Sequence, residues 1–259
     1  MKTILITGST DGLGRETARA LAGRGEQVLA HGRNPEKVER TAEELGAAGS
    51  YTADLSSLAE VRRLAEEVER DHDRLDVLVN NAGIISLERR ESDDGYELGF
   101  AVNYLAGFLL TAELMPLLRA AAPGRVVNVA SVGQRPIDFD DVMLERDYDA
   151  MRSYSQSKLA QIMHAFELAE RVPAAEVTAA ALHPATLMDT NMVRGAGGTG
   201  RTTVDEGVES TLHAIDDSAT GSYFDRLEPA QPHPQAYDAA ARRRLWELSE
   251  ELTGARVPV

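Results

Sequence analysis

Short apolar segments alternate with amphipathic ones along most of the chain. Segments such as Lys2–Thr7 and Arg125–Ala130 are mainly apolar and lack strict alternation, which predicts strands buried on both faces. Between them, segments such as Ser57–Arg70 carry apolar residues at every third or fourth position, as a helix with one buried face does. The other predicted strands are Gln27–His31, Ser50–Ala53, Leu75–Val79, Val177–Leu182 and Ser222–Phe224.

Helices are predicted between most of these strands. The full set is Leu13–Ala22, Pro35–Leu45, Ser57–Arg70, Asp94–Ala106, Phe108–Ala122, Tyr154–Arg171, Val204–Ile215 and Pro234–Leu252. Strand–helix–strand units repeated in this way favour a parallel sheet with helices on both faces. We therefore expect one α/β domain over residues 1–259. Its core would be a doubly wound parallel sheet of about seven strands.

Composition narrows the possible partners. The 259-residue chain has no cysteine, which excludes disulfides and thiolate metal sites and favours a reducing, cytoplasmic setting. Its six histidines show no ligand spacing, so no metal is expected. A formal net charge of −15 disfavours nucleic acid and anionic membranes as partners. The first apolar run is too short for a signal peptide, and no run of about 18 apolar residues predicts a membrane span.

A glycine-rich turn follows the first predicted strand. It consists of Gly8, Ser9, Thr10, Asp11, Gly12, Leu13 and Gly14. Glycines let a backbone turn sharply and approach a pyrophosphate, and the next helix offers its free N–H groups to the same anion. This position predicts a dinucleotide site, with a glycine-rich turn that binds no ligand as the alternative.

The end of the second strand indicates which dinucleotide. A carboxylate that would hold a ribose 2′-hydroxyl is missing there, and Arg33 and Asn34 stand in its place. Arg33 could pair with a 2′-phosphate, which favours NADP(H) while leaving NAD(H) possible. Arg15 would add to this positive charge. The alternative is that Arg33 is a solvated loop cation.

Two further strand ends carry polar residues where ligands bind in such sheets. Asp54 and Leu55 follow the third strand, and Asn81, Ala82 and Gly83 follow the fourth. The Asp54 carboxylate would contact an adenine amino group, or it would serve as an acid at a helix N-terminus.

A tyrosine and a lysine are placed for acid–base chemistry. Tyr154 and Lys158 are four positions apart on a predicted helix and therefore share a face. A nearby ammonium favours the phenolate and lowers a tyrosine pKa toward working range. Of the 27 basic side chains only Lys2, Lys37 and Lys158 are lysines, so a lysine at this place is notable. The alternative is an ordinary surface pair.

Taken together, these residues resemble the short-chain dehydrogenase/reductase family. The matching positions, in family order, are Thr7, Gly8, Gly12, Gly14, Asp54, Asn80, Asn81, Ala82, Gly83, Asn103, Ser131, Tyr154 and Lys158. The resemblance implies a Rossmann-type NAD(P)-binding fold in which Tyr154 is the general acid/base. It implies that Lys158 lowers the pKa of Tyr154 and binds the nicotinamide ribose. Ser131 would hold the substrate oxygen, and Asn103 a water that relays protons to Lys158. Pro184 and Thr186 would add cofactor contacts.

Other features resemble the retinol dehydrogenase-like branch, whose members mostly use NADP(H). These are a long insert, Val132–Ser153, between Ser131 and Tyr154, and the later pair Tyr223 and Phe224. Ala185 departs from the glycine that many relatives have after His183 and Pro184. The absence of cysteine argues against a light-dependent protochlorophyllide reductase.

We therefore expect an NADP(H)-dependent oxidoreductase that moves a hydride between nicotinamide and a carbonyl or secondary alcohol. A moderately hydrophobic small molecule would bind between loops 84–90, 132–153 and 185–203. Apolar residues expected to line it are Ile84, Ile85, Ile137, Phe139, Leu187, Met188, Met192 and Val193. The run Gly195–Gly200 would act as the hinge of a lid.

Two other functions are compatible with these motifs. A non-catalytic NADP(H)-sensing protein would use the same cofactor site, and an epimerase or dehydratase would use the same tyrosine–lysine pair. The tyrosine and lysine argue against the sensor, and the 77 residues after Leu182 are few for an epimerase substrate domain. The family resemblance also makes a homodimer or homotetramer possible, paired through helices Phe108–Ala122 and Tyr154–Arg171.

Overall fold

A computed structural model describes residues 1–195 and 197–257. Ala196, in the third predicted substrate loop, lies outside the described residues, as do Pro258 and Val259. The side chains of Met192 and Val193, two of the expected pocket residues, are also outside the described part.

The eight strands of the described residues form one sheet in the order β3-β2-β1-β4-β5-β6-β7-β8. Their bounds are β1 Thr3–Ile6, β2 Gln27–Gly32, β3 Gly49–Thr52, β4 Val77–Asn80, β5 Gly124–Val129, β6 Val177–His183, β7 Ser222–Asp225 and β8 Glu228–Pro229. The first seven pair in parallel, which confirms the predicted doubly wound sheet. The extra strand, β8, has two residues and runs antiparallel to β7, so it is too short to show a periodicity in the sequence.

The apolar strands are buried because helices cover both faces of the sheet. Ile4, Leu5 and Ile6 are fully buried, and the side chains of this strand divide between two hydrophobic cores, one on each face. The strand order reverses between β1 and β4, and the crevice beside such a reversal is where open α/β sheets bind ligands.

Most predicted helices lie within a few residues of the observed ones. The helices are α1 Gly12–Gly23, α2 Pro35–Leu45, α3 Leu58–Asp71, α4 Leu98–Phe100, α5 Ala106–Glu113, α6 Met115–Ala121, α7 Ala150–Arg171, α8 Asn191–Gly195, α9 Val204–Asp216 and α10 Ala239–Thr253. The short α8 was not predicted. The predicted last helix is divided into a 3₁₀ turn, Pro234–Tyr237, and α10.

The predicted break near Gly107 is wrong. The chain stays helical from Leu98 to Glu113, with one π-helical turn over Ala101–Leu105, and the break falls at Leu114. Gly107 is needed for close packing, since an added Cβ would lie 3.1 Å from Cγ of Asn80. The break comes instead before Pro116, because proline has no N–H to continue the helix.

The helix α7 is longer than predicted and is enclosed by its neighbours. It begins at Ala150 because the Asp149 side chain caps it, accepting a hydrogen bond of 2.7 Å from the Arg152 N–H. Every residue from Ser155 to Leu168 is buried, and both α10 and the sheet pack against the helix. The catalytic candidates on its first half are therefore held on a fixed element.

Two searches of the described residues bear on membranes and metals. No single helix there has the length and apolar content to cross a membrane, although Leu98–Glu113 and Met115–Ala121, bent by 62°, pass together on those two criteria. Residues 1–195 and 197–257 contain no group of three or more histidines or acids placed to hold a metal ion.

Candidate active site

The phosphate-binding turn is shaped by glycines that have no room for a side chain. Gly8 adopts φ +68°, and a Cβ there would lie 3.1 Å from Cα of Ala82. A Cβ on Gly14 would lie 2.4 Å from the Gly8 carbonyl oxygen and from Nδ2 of Asn81. The Gly8 N–H donates to Nδ1 of His31 at 3.1 Å, which fixes the turn against β2. These contacts leave the N-terminus of α1 at the edge of the sheet, as a pyrophosphate site needs.

Not every residue of the turn presents its side chain to that edge. Ser9 is fully buried, and its Oγ accepts from the His31 N–H at 2.8 Å, while Leu13 packs in a core. Asp11 caps α1, because its Oδ1 accepts from the Gly12 N–H at 2.8 Å. Of the residues predicted here, Ser9 and Leu13 could therefore reach a ligand only through their main chain.

The two arginines predicted near the 2′-phosphate differ in their surroundings. Arg33 is exposed, and no hydrogen bond or ion pair of its side chain is seen within residues 1–195 and 197–257. Arg15 instead pairs with Glu44, and that hydrogen bond holds the Glu44 pKa below its usual value. Asn34 caps α2, accepting from the Lys37 N–H at 2.9 Å. Arg33 is thus the cation available to an anionic ligand.

Thr7 holds the fourth strand end against the first. Its Oγ1 accepts from the N–H groups of Asn81 and Ala82, both at 3.0 Å. The Asn81 side chain returns a hydrogen bond of 2.8 Å to the Thr7 carbonyl. Gly83 continues this segment, which lies beside the phosphate-binding turn.

Asp54 makes the local contacts of a turn residue. Its Oδ1 accepts from the N–H and the hydroxyl of Ser56, at 2.9 and 2.8 Å. The first N–H of α3, from Leu58, donates to Asp94 and not to Asp54, so both interpretations of Asp54 stay predictions. Leu55 is 7% exposed and packs in a core, so it presents little surface.

Ser131, Tyr154 and Lys158 come together beyond the end of β5. Ser131 is 9% exposed, and its hydroxyl lies beside the Tyr154 phenol. Burial raises the pKa of the phenol above its ordinary value of 10.0, and the Ser131 hydroxyl opposes part of that rise. The sequence led us to expect a lowered pKa, so the direction is opposite to the expectation.

Lys158 explains the difference. Its Nζ lies 5.5 Å from the centroid of the Tyr154 ring, and it donates to the Val129 carbonyl at 2.8 Å and to Oε1 of Gln161 at 2.9 Å. Burial lowers the pKa of this lysine from 10.5 to about 7. Near neutral pH the ammonium is therefore only partly charged and directed at neutral oxygens, so it stabilises a phenolate weakly.

Asn103 lies in the π-helical turn, and both the oxygen and the nitrogen of its side-chain amide are hydrogen-bonded. Its Oδ1 accepts from the Ile84 N–H at 2.7 Å, and its Nδ2 donates to the Ile84 carbonyl at 3.1 Å and to Oγ of Ser157 at 2.9 Å. This ties the first predicted substrate loop to α7. The proton-relaying water assigned to Asn103 stays a prediction.

The third predicted loop lies over the phosphate-binding turn. Nδ2 of Asn191, in α8, donates to Oδ2 of Asp11 at 2.5 Å. At the base of the loop, Pro184 is buried and Thr186 is exposed, with Oγ1 of Thr186 3.0 Å from Nε2 of His183. The loop is therefore placed to cover a bound dinucleotide. Its hinge motion stays a prediction.

The expected apolar wall is only partly available to a ligand. Ile137 is buried in a core at 4% exposure, and the Phe139 ring packs against the Arg244 guanidinium at 4.7 Å. Ile84, Ile85 and Met188 are half-buried, and Leu187 is 41% exposed. Of the six wall residues whose side chains are described, Ile137, Phe139 and Met188 pack in or against the two hydrophobic cores.

Sequence reasoning missed two buried partners of the site. Gln161 holds Lys158, and its position three residues along the same helix was a usable signal. His31 holds Gly8, but its inward direction depends on how β2 meets the turn, which the sequence pattern did not show.

Comparison with known proteins agrees with this geometry. A family model described as short chain dehydrogenase matches residues 2–199. Human retinol dehydrogenase 13 is 34% identical over 99% of this chain and 86% of its own length, and human retinol dehydrogenase 14 is 34% identical over 98% and 86%. An uncharacterised protein from Mycobacterium paratuberculosis superposes with a TM-score of 0.86 at 33% identity, over 100% of this chain and 96% of that one. An NADPH-bound carbonyl reductase from chicken fatty liver, with a TM-score of 0.71, 22% identity and coverage of 90% and 99%, shares the fold.

Proposed function

This chain belongs to the short-chain dehydrogenase family and is an NAD(P)-dependent oxidoreductase of alcohols or carbonyls, and we propose that it works with NADP(H) as a carbonyl reductase. The observation that carries the proposal is the cluster of Ser131, Tyr154 and Lys158 at the carboxyl edge of the sheet, in which Nζ of Lys158 lies 5.5 Å from the centroid of the Tyr154 ring. That edge also carries the phosphate-binding turn.

The residues present fit a dinucleotide phosphate. The steric limits at Gly8 and Gly14 keep the turn free of side chains, and the exposed Arg33 has an open guanidinium for a 2′-phosphate. When bound, NADPH supplies the hydride. The protein supplies the orientation and the proton.

The phenol is suited to donate a proton. Because its pKa is raised by burial, Tyr154 is protonated at neutral pH and can act as a general acid toward an alkoxide that forms on the substrate. Ser131 donates to the same oxygen and stabilises the developing charge. This protonation state favours reduction of a carbonyl over oxidation of an alcohol at neutral pH.

Two findings support a hydrophobic substrate. Half-buried Ile84, Ile85 and Met188 lie in two of the loops flanking the site. The curated relatives are retinol dehydrogenases by name, and a hydrophobic aldehyde or ketone is the class we propose for this chain.

The test is a panel of aldehydes and ketones assayed with NADPH and NADH. We expect turnover with NADPH, and Tyr154→Phe should reduce kcat by about 1,000-fold because general acid catalysis contributes that much. The matched control is Tyr237→Phe, since that phenol is 54% exposed and outside the site. Full activity of Tyr154→Phe would rule out the proposed role. NADPH binding without turnover of any substrate would favour the sensing alternative.

A further inference from the structure

Ser131 lies two residues beyond the end of β5. The last pairing of β5 with β6 is Val129 with Leu182, and the Ala130 N–H still donates to the Leu182 carbonyl at 2.8 Å. The Ser131 carbonyl therefore has no ladder partner in the sheet. A buried carbonyl without partners is costly, so something else must satisfy it.

Two side chains donate hydrogen bonds to this carbonyl in place of a neighbouring strand. The Tyr223 hydroxyl donates to the Ser131 carbonyl at 3.1 Å, and Nε2 of Gln134 donates to the same oxygen at 2.9 Å. One oxygen with two donors has both lone pairs used, which fixes the peptide plane after Ser131.

Both donors are anchored by parts of the fold that the proposed chemistry does not use. Tyr223 is 4% exposed and lies on β7, where it pairs with Ala181 of β6. Oε1 of Gln134 accepts from the His233 N–H at 2.7 Å, just before the 3₁₀ turn Pro234–Tyr237. The hydrogen bonds from Tyr223 and Gln134 to the Ser131 carbonyl, called the clamp below, therefore connect Ser131 to the last strands and the C-terminal segment.

The Tyr223 phenol keeps its proton and can therefore act as a hydrogen-bond donor. Burial raises the pKa of its phenol, and the negative charges of Asp225 and of an ionised Tyr154 raise it further, against a hydrogen bond with Gln134. Its O–H is therefore retained at neutral pH.

We infer that Tyr223 and Gln134 are positioning residues for Ser131, acting through its main-chain carbonyl to aim its hydroxyl at Tyr154 and the substrate oxygen. The inference rests on the proposed function of Ser131 and Tyr154. Oγ of Ser131 accepts from the Gly133 N–H at 3.0 Å, so the position of this hydroxyl depends on the local backbone.

The test is a double-mutant cycle. Tyr223→Phe removes one hydroxyl, and we expect kcat to fall about tenfold with KM for NADPH unchanged, because the lost hydrogen bond bears on the developing charge. In a Ser131→Ala background the same change should cost less than about twofold, since its effect passes through Ser131. Gln134→Met should behave like Tyr223→Phe and provides a second variant if that protein folds poorly.

A matched control and a readout without turnover complete the design. Tyr51→Phe removes a hydroxyl from an equally buried tyrosine, also 4% exposed, on β3, and should leave kcat unchanged. Hydrogen exchange of the Gly133 amide should accelerate in Tyr223→Phe and not in Tyr51→Phe, because that amide reports where Oγ of Ser131 lies.

The outcomes separate the two claims. If Tyr154→Phe keeps full turnover, the proposed function fails, while exchange at Gly133 still decides whether the clamp holds Ser131. If Tyr154→Phe is inactive but Tyr223→Phe costs the same in both backgrounds, the clamp alone is overturned. Exchange at Gly133 equal to that of the wild type would also overturn it.

Discussion

The phosphate-binding turn and the catalytic corner face the same crevice but are built in opposite ways. The turn depends on the absence of a side chain at Gly8 and Gly14, because an added Cβ there would collide with main-chain or side-chain atoms. The catalytic corner, meaning Ser131, Tyr154 and Lys158, depends on polar side chains that are present, with Ser131 and Lys158 buried and Tyr154 half-buried. One region is therefore limited by space and the other by desolvation.

This difference predicts how each region responds to change. A substitution that adds even a small side chain to the turn should disrupt it, whereas a change of charge elsewhere in the protein should affect it little. The corner should be sensitive to the size and charge of its buried cation, because the Lys158 hydrogen bonds that the structure describes go to two neutral oxygens, of Val129 and Gln161.

Among the variants that test this contrast, the largest effect is expected from Lys158→Arg. The fork of an arginine is larger than an ammonium and cannot be accommodated at 3% exposure, so kcat should fall by about 100-fold or more. Lys37→Arg is the control, because Lys37 is exposed on α2. Steady-state assays with NADPH measure both. Activity of Lys158→Arg within about threefold of the wild type would mean that the corner tolerates any cation.

Gly14→Ala tests the turn. The added carbon would lie 2.4 Å from the Gly8 carbonyl oxygen, so we expect a loss of about 1–3 kcal/mol in stability and weaker NADPH binding. Gly23→Ala is the matched control at the other end of α1, since nothing lies within 4 Å of its added Cβ. Thermal unfolding and NADPH titration report the two effects. Equal behaviour of both variants would contradict the steric account.

Arg33→Ala tests the cofactor preference. Removing the open guanidinium should lower the preference for NADPH over NADH by about tenfold, the equivalent of one charged hydrogen bond. Arg15→Ala should change it little, because Arg15 is paired with Glu44. The ratio of kcat/KM for the two cofactors is the measurement. An unchanged ratio in Arg33→Ala would remove the basis for NADP(H).

The last prediction concerns acid stability and involves two buried histidines, one beside the turn and one on α7. Burial lowers the pKa of His31, beside the turn, and of His164, on α7, from 6.5 to about 4. Between those values the unfolded chain binds more protons than the folded one, so stability should fall as the pH drops from 6.5 to 4. His164→Asn should flatten part of that slope in urea titrations. A slope equal to that of the wild type would argue against the buried neutral imidazole.

The same contrast explains what the sequence could predict. The glycine turn was predictable because steric requirements restrict the residue type itself. Tyr154 and Lys158 were predictable as a pair from helical spacing, but the pKa direction was not, because it depends on burial and on Val129 and Gln161. The helix break at Leu114 was missed because glycine disfavours helix, so the sequence predicted the break at Gly107. In the fold, Gly107 instead makes room for Asn80.

The enclosure of α7 has a consequence for self-association. Over Ser155–Leu168 the helix has no exposed face, and α10 packs along one side of it. A second copy of the chain therefore cannot reach this stretch unless α10 first moves away. Such a displacement would expose Trp246, which is 2% exposed, together with the buried ion pair between Arg242 and Glu167. Any contact between copies would have to form elsewhere on the surface and leave the catalytic helix undisturbed.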